Sequence, residues 1–159
     1  MFMKLMRIPS GEELEAFIEE LLEEDYKELR RSNEFSFDWE TEKTFEVYKI
    51  FLLTQESSIL GVMSLIDRPD EYRIHLNLLE VSKSNMGRRK KVDFIAGCLI
   101  AFAAELAFKR GYFGFVSLEP KTQLIDHYQN KYGFRQYGKY MAIYETASRA
   151  LVDKYLNDG

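Results

Sequence analysis

Four consecutive cations, Arg88 to Lys91, lie between an apolar strand pattern and a long apolar helix pattern. The strand pattern ends at Val81, and the helix pattern runs from Cys98 to Lys109. Backbone amides at the start of a helix have no partner within the helix and carry partial positive charge, so phosphate groups bind there readily. The four cations add a positive field at the same place. The pattern predicts a phosphate-binding loop, and a solvated basic turn is the alternative.

A tyrosine follows on the next predicted helix. Phe113 to Leu118 is typical of a short strand, and the helix after it is predicted to begin at Thr122 as N-cap and to stop at Gly133. Tyr128 lies on this helix and could supply a proton to a reaction near the loop. The alternative is a packing role, because Leu124, Ile125, Tyr128 and Tyr132 also form an apolar stripe at helical spacing.

This order of segments resembles the GNAT superfamily of acetyltransferases, which transfer an acyl group from acyl-coenzyme A. The resemblance covers most of the chain and is strongest from Ile59 to Phe134. The family's loop pattern is Gln or Arg, two residues, Gly, one residue, then Gly or Ala. The best match is Lys91-Val-Asp-Phe94-Ile-Ala96, in which Lys91 stands for arginine and Phe94 replaces the expected glycine. Glycine lets a phosphate approach the backbone closely, so Phe94 departs from the pattern at a sensitive position.

The resemblance implies an α/β (α+β) fold with a mixed, mostly antiparallel central sheet flanked by helices. It also implies acetyl-CoA as co-substrate, with the pyrophosphate on the amides of Lys91 to Gly97 and with Arg88 to Lys90 near the pyrophosphate or the 3′-phosphate. The cofactor-binding residues expected on this basis are Val81, Arg88, Arg89, Lys90, Lys91, Val92, Asp93, Phe94, Ile95, Ala96 and Gly97.

Two catalytic residues are expected from the same resemblance. Tyr128 matches the tyrosine that often protonates the departing coenzyme A sulfur in this family. Glu80 ends the strand before the loop, where many relatives place a base that acts directly or through water. Strand alternation predicts that Glu80 shares one face with Ile74, Leu76 and Leu78. A surface acid at a strand end is the alternative for Glu80.

The remaining titratable candidates point to packing rather than to chemistry. His75 is expected on the strand face opposite Glu80, and His127 is expected to point away from Tyr128. These two histidines give no metal site at their spacing. Cys98 opens an apolar helix and is expected in the core, with a reactive thiol at a helix start as the alternative.

The other elements follow from periodicity and turn residues. Ser10 to Glu13 is typical of a capping box, which predicts a first helix ending near Arg30. Asn33 to Thr44 is compatible with a short helix or with a loop covering a pocket. The other expected elements are a strand over 2–8, a hairpin of strands 45–54 and 59–67 turning at 55–58, a turn at 68–71, a strand over 72–81, late strands within 136–145 interrupted by Gly138, and a closing helix over 147–156.

Length, composition and charge exclude several classes of protein. The chain has 159 residues, 46% hydrophobic and 30% charged, which is typical of one globular domain, expected here over 1–159. A net charge of −4 disfavours a general nucleic-acid binder. The single cysteine is typical of a reducing cytoplasm, and no stretch is apolar enough for a signal sequence or a membrane span.

The sequence therefore predicts an N-acetyltransferase that transfers an acetyl group from acetyl-CoA directly to a primary amine. A GNAT-like domain that binds acyl-CoA or a partner without catalysis is the alternative. The acceptor is open between a small amine, an amino acid derivative, a protein amino group and aminoacyl-tRNA. The acyl chain length is open as well, and both a monomer and a homodimer are compatible with the sequence.

Overall fold

The computed structural model describes residues 1–156, with only the backbone described for residues 55–57. Its strands are β1 (Phe2–Arg7), β2 (Glu13–Glu20), β3 (Glu46–Leu52), β4 (Gln55–Arg68), β5 (Arg73–Val81), β6 (Val92–Asp93), β7 (Val116–Leu118), β8 (Arg135–Tyr137) and β9 (Tyr140–Ile143). They form one sheet in the order β6-β1-β2-β3-β4-β5-β7-β9-β8. Within the described residues β5 and β7 are the parallel pair, and every other pairing is antiparallel. The expected mixed, mostly antiparallel sheet is confirmed.

Helices cover both faces of this sheet. The α-helices are α1 (Glu23–Arg31), α2 (Ile95–Lys109), α3 (Ile125–His127) and α4 (Glu145–Tyr155), and a π-helical turn, Tyr128–Tyr132, continues α3. Short 3₁₀ turns occur at Trp39–Glu42, Pro69–Glu71, Lys83–Asn85, Gly87–Arg89 and Thr122–Leu124. Among the residues described, no helix has both the length and the apolar character that crossing a bilayer requires.

The two faces of the sheet carry separate apolar cores. On one, the α2 face, side chains such as Ile50, Leu65 and Ile74 pack against the apolar helix that contains Leu99. On the other, the α1 face, a smaller cluster contains Tyr26, Leu29, Phe35, Trp39, Val47 and Val62. Burying this apolar surface is the main favourable contribution to folding, and it fixes which side of each strand faces which helix.

The helix expected from the capping box at Ser10 is wrong. The chain instead forms the β1–β2 hairpin, in which Leu14, Ala16 and Ile18 alternate inward and are buried. The Ser10 hydroxyl accepts a hydrogen bond from the Glu12 amide inside the hairpin turn. The helix begins only at Glu23, where Asp25 accepts the Leu22 amide at 2.8 Å. The spacing of apolar residues from Leu14 onward fits both the 3.6-residue period of a helix and the two-residue period of a strand. Pairing with β1 decides in favour of the strand.

Three smaller expectations also change. The β3–β4 hairpin turns at 53–54, and the backbone of the expected turn at 55–58 already belongs to β4. Thr122 does not cap a helix, because it lies inside a 3₁₀ turn whose N-cap is Lys121. Asn33 to Thr44 combines both alternatives, since an irregular segment carries the short 3₁₀ turn Trp39–Glu42.

A β-bulge in β5 changes which of its side chains share a face. Ser64 of β4 pairs with Leu78 and Leu65 with Leu76, so Asn77 is the extra residue. An extra residue reverses the alternation, so Ile74 and Leu76 lie on the α2 face, whereas Leu78 packs into the core of the α1 face. Glu80 pairs with Val62 and His75 pairs with Ile66, which places both on the α1 face. The expected grouping of Glu80 with Ile74 and Leu76 is therefore wrong, as is the expected separation of His75 from Glu80.

The parallel pairing between β5 and β7 is short. Only Ile74 with Val116 and His75 with Ser117 are paired, although β5 continues to Val81. Beyond His75 and Ser117 the described residues of the two strands are no longer paired, and we call this unpaired stretch between them the split. Within residues 1–156, the edge of β5 that faces the split has no strand partner beyond His75, so its backbone N–H and C=O groups are open to a ligand.

Candidate active site

The split opens into a cavity of about 670 Å³ that brings distant parts of the chain together. Its wall includes the end of β5, the basic loop, the start of α2, the segment around Tyr128 and the aromatic ring of Tyr155 from α4. The expected site residues on this wall are Glu80, Val81, Lys90, Val92, Asp93, Phe94, Ile95, Ala96, Gly97 and Tyr128. Arg88, Arg89 and Lys91 are exposed on the loop but do not line the cavity.

The amino end of α2 presents backbone amides without a capping side chain. No side chain caps this end, and the amides of its first turn have no acceptor within the helix. Ile95, Ala96 and Gly97 supply these amides at the cavity wall. The helix is 15 residues long, so its dipole adds partial positive charge at the same point.

Phe94 occupies a backbone position that suits glycine. It is the N-cap residue of α2 and has φ of 78° and ψ of 9°, in the left-handed region. A side chain in that region costs about 1–2 kcal/mol, which is why glycine is the usual choice. Position 94 is therefore one at which a glycine would relieve backbone strain. Its ring lies 6.0 Å from the ring of Tyr155, with both rings on the cavity wall.

The loop before α2 is held by a buried amide and a strand pairing. Asn85 is buried, donates to the Ser82 hydroxyl at 2.9 Å and accepts the Val92 amide at 3.0 Å. β6 pairs with β1 next to this contact. These bonds fix the path of the chain from β5 to α2, which the sequence pattern does not reveal.

The cavity wall carries cations that the sequence pattern did not identify. Lys83 follows β5 and Lys131 follows Tyr128, and both line the cavity together with Lys90. Lys90 forms an ion pair with Asp93 at 2.9 Å. Burial alone would raise the pKa of the Asp93 carboxyl, but the hydrogen bonds from Lys90 and from the Phe94 amide outweigh it and lower the pKa. The spacing of Lys131, one helical turn after Tyr128, was the available sequence signal.

Tyr128 faces the cavity from the start of the π-helical turn. Its ring packs against Phe134 at 5.6 Å and Tyr132 at 6.1 Å. Burial raises the pKa of the Tyr128 phenol, so it stays protonated at neutral pH. No hydrogen bond to its hydroxyl occurs among residues 1–156. His127 also lines the cavity, so the expectation that it points away from Tyr128 is wrong.

Glu80 of β5 binds the segment from Ser36 to Trp39, which lies on the other side of the cavity from Tyr128. Its carboxylate accepts the amide of Ser36 at 2.6 Å, the amide of Phe37 at 3.2 Å and the indole N–H of Trp39 at 3.0 Å. Ser36 and Phe37 line the cavity, and they also line a second cavity of about 340 Å³ beside α1. Both carboxylate oxygens are thus engaged by the segment that separates the two cavities.

A polar cluster lies where the split begins. His75 Nδ1 is 2.9 Å from the Ser117 hydroxyl, to which the Arg73 guanidinium donates at 2.6 Å. Burial, and then the positive charge of Arg73, lower the pKa of the His75 imidazole, which is therefore neutral at pH 7. The two last-paired residues of β5 and β7 are thus bonded through side chains as well as backbone.

Other candidate chemistry is not supported at this site. Cys98 is fully buried, and burial raises the pKa of its thiol to about 12. This makes it a core residue rather than a nucleophile. No group of three or more His, Cys, Asp or Glu side chains within the described residues could hold a metal ion.

Comparisons with solved structures identify the fold. AtaTR, solved bound with acetyl-CoA, has a TM-score of 0.61 at 16% identity and covers 86% of this chain and 97% of its own. The PaiA N-acetyltransferase of Thermoplasma acidophilum, solved with coenzyme A, has a TM-score of 0.56 at 15% identity over 82% and 98% of the two chains. The spermidine/spermine N-acetyltransferase SpeG of Vibrio cholerae has a TM-score of 0.59 at 13% identity over 86% and 95%.

The chain has the fold of the GNAT acetyltransferases, as its motifs predicted. Sequence comparison adds nothing to this, because no protein-family model and no curated protein matches the chain.

Replacement of Phe94 tests the glycine-like backbone. Phe94→Gly and Phe94→Ala both remove the ring contact with Tyr155, but only glycine relieves the left-handed strain. We expect Phe94→Gly to be more stable than Phe94→Ala by roughly 1 kcal/mol, since the extra freedom of glycine in the unfolded chain offsets part of the gain. Urea unfolding with equal m-values measures the difference. An alanine variant as stable as the glycine variant would contradict this conformation.

Proposed function

We propose that the protein is an N-acetyltransferase that transfers the acetyl group of acetyl-CoA directly to a primary amine. The observation that carries this proposal is that one cavity collects an uncapped helix amino end, cationic side chains and a protonated phenol. Phosphates, a thioester and a leaving thiolate need these groups in this order along one extended molecule. The coenzyme A complexes of AtaTR and PaiA support the same ligand at the level of the fold.

In this proposal the cofactor lies along the split. Its pyrophosphate binds the amides of Ile95, Ala96 and Gly97, with Lys83, Lys90 and Lys131 on the cavity wall close to the phosphates. The amide groups of the pantetheine arm pair with the free edge of β5 from Leu78 to Val81, as an added strand would. This directs the thioester toward the beginning of the split.

The chemical step then needs a group that accepts a proton from the nitrogen and a group that gives a proton to the sulfur. The acceptor loses a proton, its neutral nitrogen attacks the thioester carbonyl, and a C–N bond forms. Collapse of the tetrahedral intermediate breaks the C–S bond and releases a thiolate, to which Tyr128 gives its proton, and the second proton that the attacking nitrogen loses as the amide forms restores the Tyr128 phenol. Glu80 is the proposed proton acceptor, and its three N–H contacts favour transfer through a bound water rather than by direct contact. Holding both substrates together supplies proximity.

A domain that binds acyl-CoA without transfer is the second candidate. Phe94 favours it, because its side chain stands where a glycine would leave room for the phosphates. Engagement of both Glu80 oxygens favours it as well. Release of free coenzyme A thiol in the presence of any physiological primary amine, followed with a thiol reagent, would eliminate this candidate.

Cofactor binding is expected to depend more on the cavity wall than on the exposed loop. In isothermal titration with acetyl-CoA, Lys83→Ala/Lys131→Ala should weaken binding by about tenfold per lost charge-assisted contact. Arg88→Ala/Arg89→Ala/Lys91→Ala should weaken it less and in a salt-dependent way, because these side chains do not line the cavity. Lys27→Ala/Arg31→Ala on the exposed side of α1 is the control. If the wild-type protein does not bind acetyl-CoA in this titration, the proposal that it is an acetyltransferase is wrong.

The assignment of Tyr128 as proton donor is tested by measuring kcat. Once an acceptor is identified, Tyr128→Phe should lower kcat by about a hundredfold to ten-thousandfold with little change in acetyl-CoA affinity. Tyr132→Phe, whose hydroxyl belongs to the neighbouring buried ring, is the matched control. Full turnover by Tyr128→Phe would show that another group protonates the thiolate.

A further inference from the structure

The side chain of Tyr155 is buried, but its hydroxyl has no protein partner. Tyr155 ends α4 and is 7% exposed. Its backbone carbonyl accepts a weak hydrogen bond from the Cys98 thiol, whereas its hydroxyl has no hydrogen bond within residues 1–156. No enclosed side-chain oxygen of the described residues lacks a partner, so the Tyr155 hydroxyl is not enclosed. Since the residue lines the cavity, this hydroxyl is open to a ligand there.

Gly97 allows that hydroxyl to lie at the amino end of α2. A Cβ at Gly97 would be 2.4 Å from Cε1 and 2.5 Å from Cζ of Tyr155, so the ring occupies the space that a larger residue would fill. Cζ carries the hydroxyl, and the Cα–Cβ bond of a helical residue tilts toward the amino end of its helix. The hydroxyl therefore lies beside the first turn, where the amides of Ile95, Ala96 and Gly97 have no acceptor within the helix.

The charged groups of the same cavity favour an anion at this point. Asp93 lines the cavity, but Lys90 pairs with it at 2.9 Å and compensates its charge. Lys83 and Lys131 also line the cavity, and neither forms an ion pair within residues 1–156. Backbone amides, a phenol and two lysines can thus all donate to one oxygen anion. The pyrophosphate is the part of acetyl-CoA that the first turn of a helix holds best.

We propose that the Tyr155 hydroxyl donates a hydrogen bond to the pyrophosphate of the cofactor, so that α4 contributes a residue to the cofactor site. This inference rests on the proposed function, since it adds a residue to the same site. Phe94, whose ring lies 6.0 Å from that of Tyr155, stands where a glycine would let a phosphate approach the backbone closely. The phenol supplies a donor from a side chain instead. Gly97 is needed because the ring occupies the space of its missing Cβ.

The test compares Tyr155→Phe with the wild type by isothermal titration of the full chain. Phenylalanine keeps the ring against Gly97 and removes only the hydroxyl. We expect Tyr155→Phe to bind acetyl-CoA and 3′-dephospho-coenzyme A about tenfold to a hundredfold more weakly, because both lose a hydrogen bond to a charged group. The affinity for S-acetylpantetheine, which has no phosphate, should stay the same. Tyr26→Phe is the control, since Tyr26 is also 7% exposed but lines the second cavity rather than the first.

The stability of the protein without ligand separates a binding role of the hydroxyl from a packing role. A hydroxyl without a partner adds nothing to folding, so the Tm of Tyr155→Phe without ligand should not fall below that of the wild type. The rise of Tm with acetyl-CoA should be smaller in the variant. A lower Tm without ligand, together with an unchanged affinity for acetyl-CoA, would show that Tyr155 only packs.

Equal affinity of the wild type and of Tyr155→Phe for acetyl-CoA would overturn this inference and leave the proposed function intact. A loss with acetyl-CoA but not with 3′-dephospho-coenzyme A would also overturn it, because the hydroxyl would then bind the 3′-phosphate. If the wild type does not bind acetyl-CoA, the proposed function fails, and sodium pyrophosphate still tests Tyr155. The inference then predicts a larger rise of Tm with pyrophosphate in the wild type than in Tyr155→Phe, and the absence of a difference would contradict it.

Discussion

The parallel pairing of β5 and β7 stops after two residue pairs, and the rest of the site depends on that interruption. A sheet that stayed paired would satisfy its backbone groups internally and leave no space between the strands. Because the strands separate beyond His75 and Ser117, β5 keeps a free hydrogen-bonding edge in the middle of a nine-stranded sheet. Both faces meet at this gap, so groups from α2 and from the α1 side can approach one extended ligand from opposite directions.

The bulge at Asn77 adds a second constraint at the same point. One extra residue turns Leu78 and Glu80 toward the α1 face while Ile74 and Leu76 keep the α2 core. Glu80 can then accept three N–H groups from the segment between Ser36 and Trp39. The same bulge brings the Asn77 amide to Glu42. A single irregularity thus connects the cavity wall, the proposed proton acceptor and the buried Glu42.

The sequence predicts well those features that local pattern determines. The apolar run of α2, the basic loop before it and the strands β3, β4, β5 and β7 were legible from periodicity and turn residues, whereas β6 was not predicted. Phe94 could be placed at the glycine position by spacing, and its left-handed backbone gives a physical reason for that register. The placement of Tyr128 near the loop was expected from the family resemblance, and the fold brings both to the wall of one cavity.

What the sequence does not predict depends on contacts between distant residues. Leu14, Ala16 and Ile18 satisfy both a helical and a strand period, and only β1 decides between them. A β-bulge has no signature in the local sequence. Simple alternation therefore placed His75 and Glu80 on opposite faces of the strand, although both lie on the α1 face. Lys83 and Lys131 read as ordinary surface lysines until the fold brings both to one cavity. Glu42 is inconspicuous because its burial comes from β4 and β5, not from its neighbours in the chain.

The most direct test of the account is to follow backbone amide chemical shifts by NMR while acetyl-CoA is added. If acetyl-CoA binds in the split, the largest changes fall on the first-turn amides of α2, Ile95 to Gly97, and along the free edge of β5 from Leu78 to Val81. Both sets should saturate together, because one ligand spans them. Changes confined to the exposed loop at Arg88 and Arg89, with the edge of β5 unaffected, would contradict a cofactor that lies in the split.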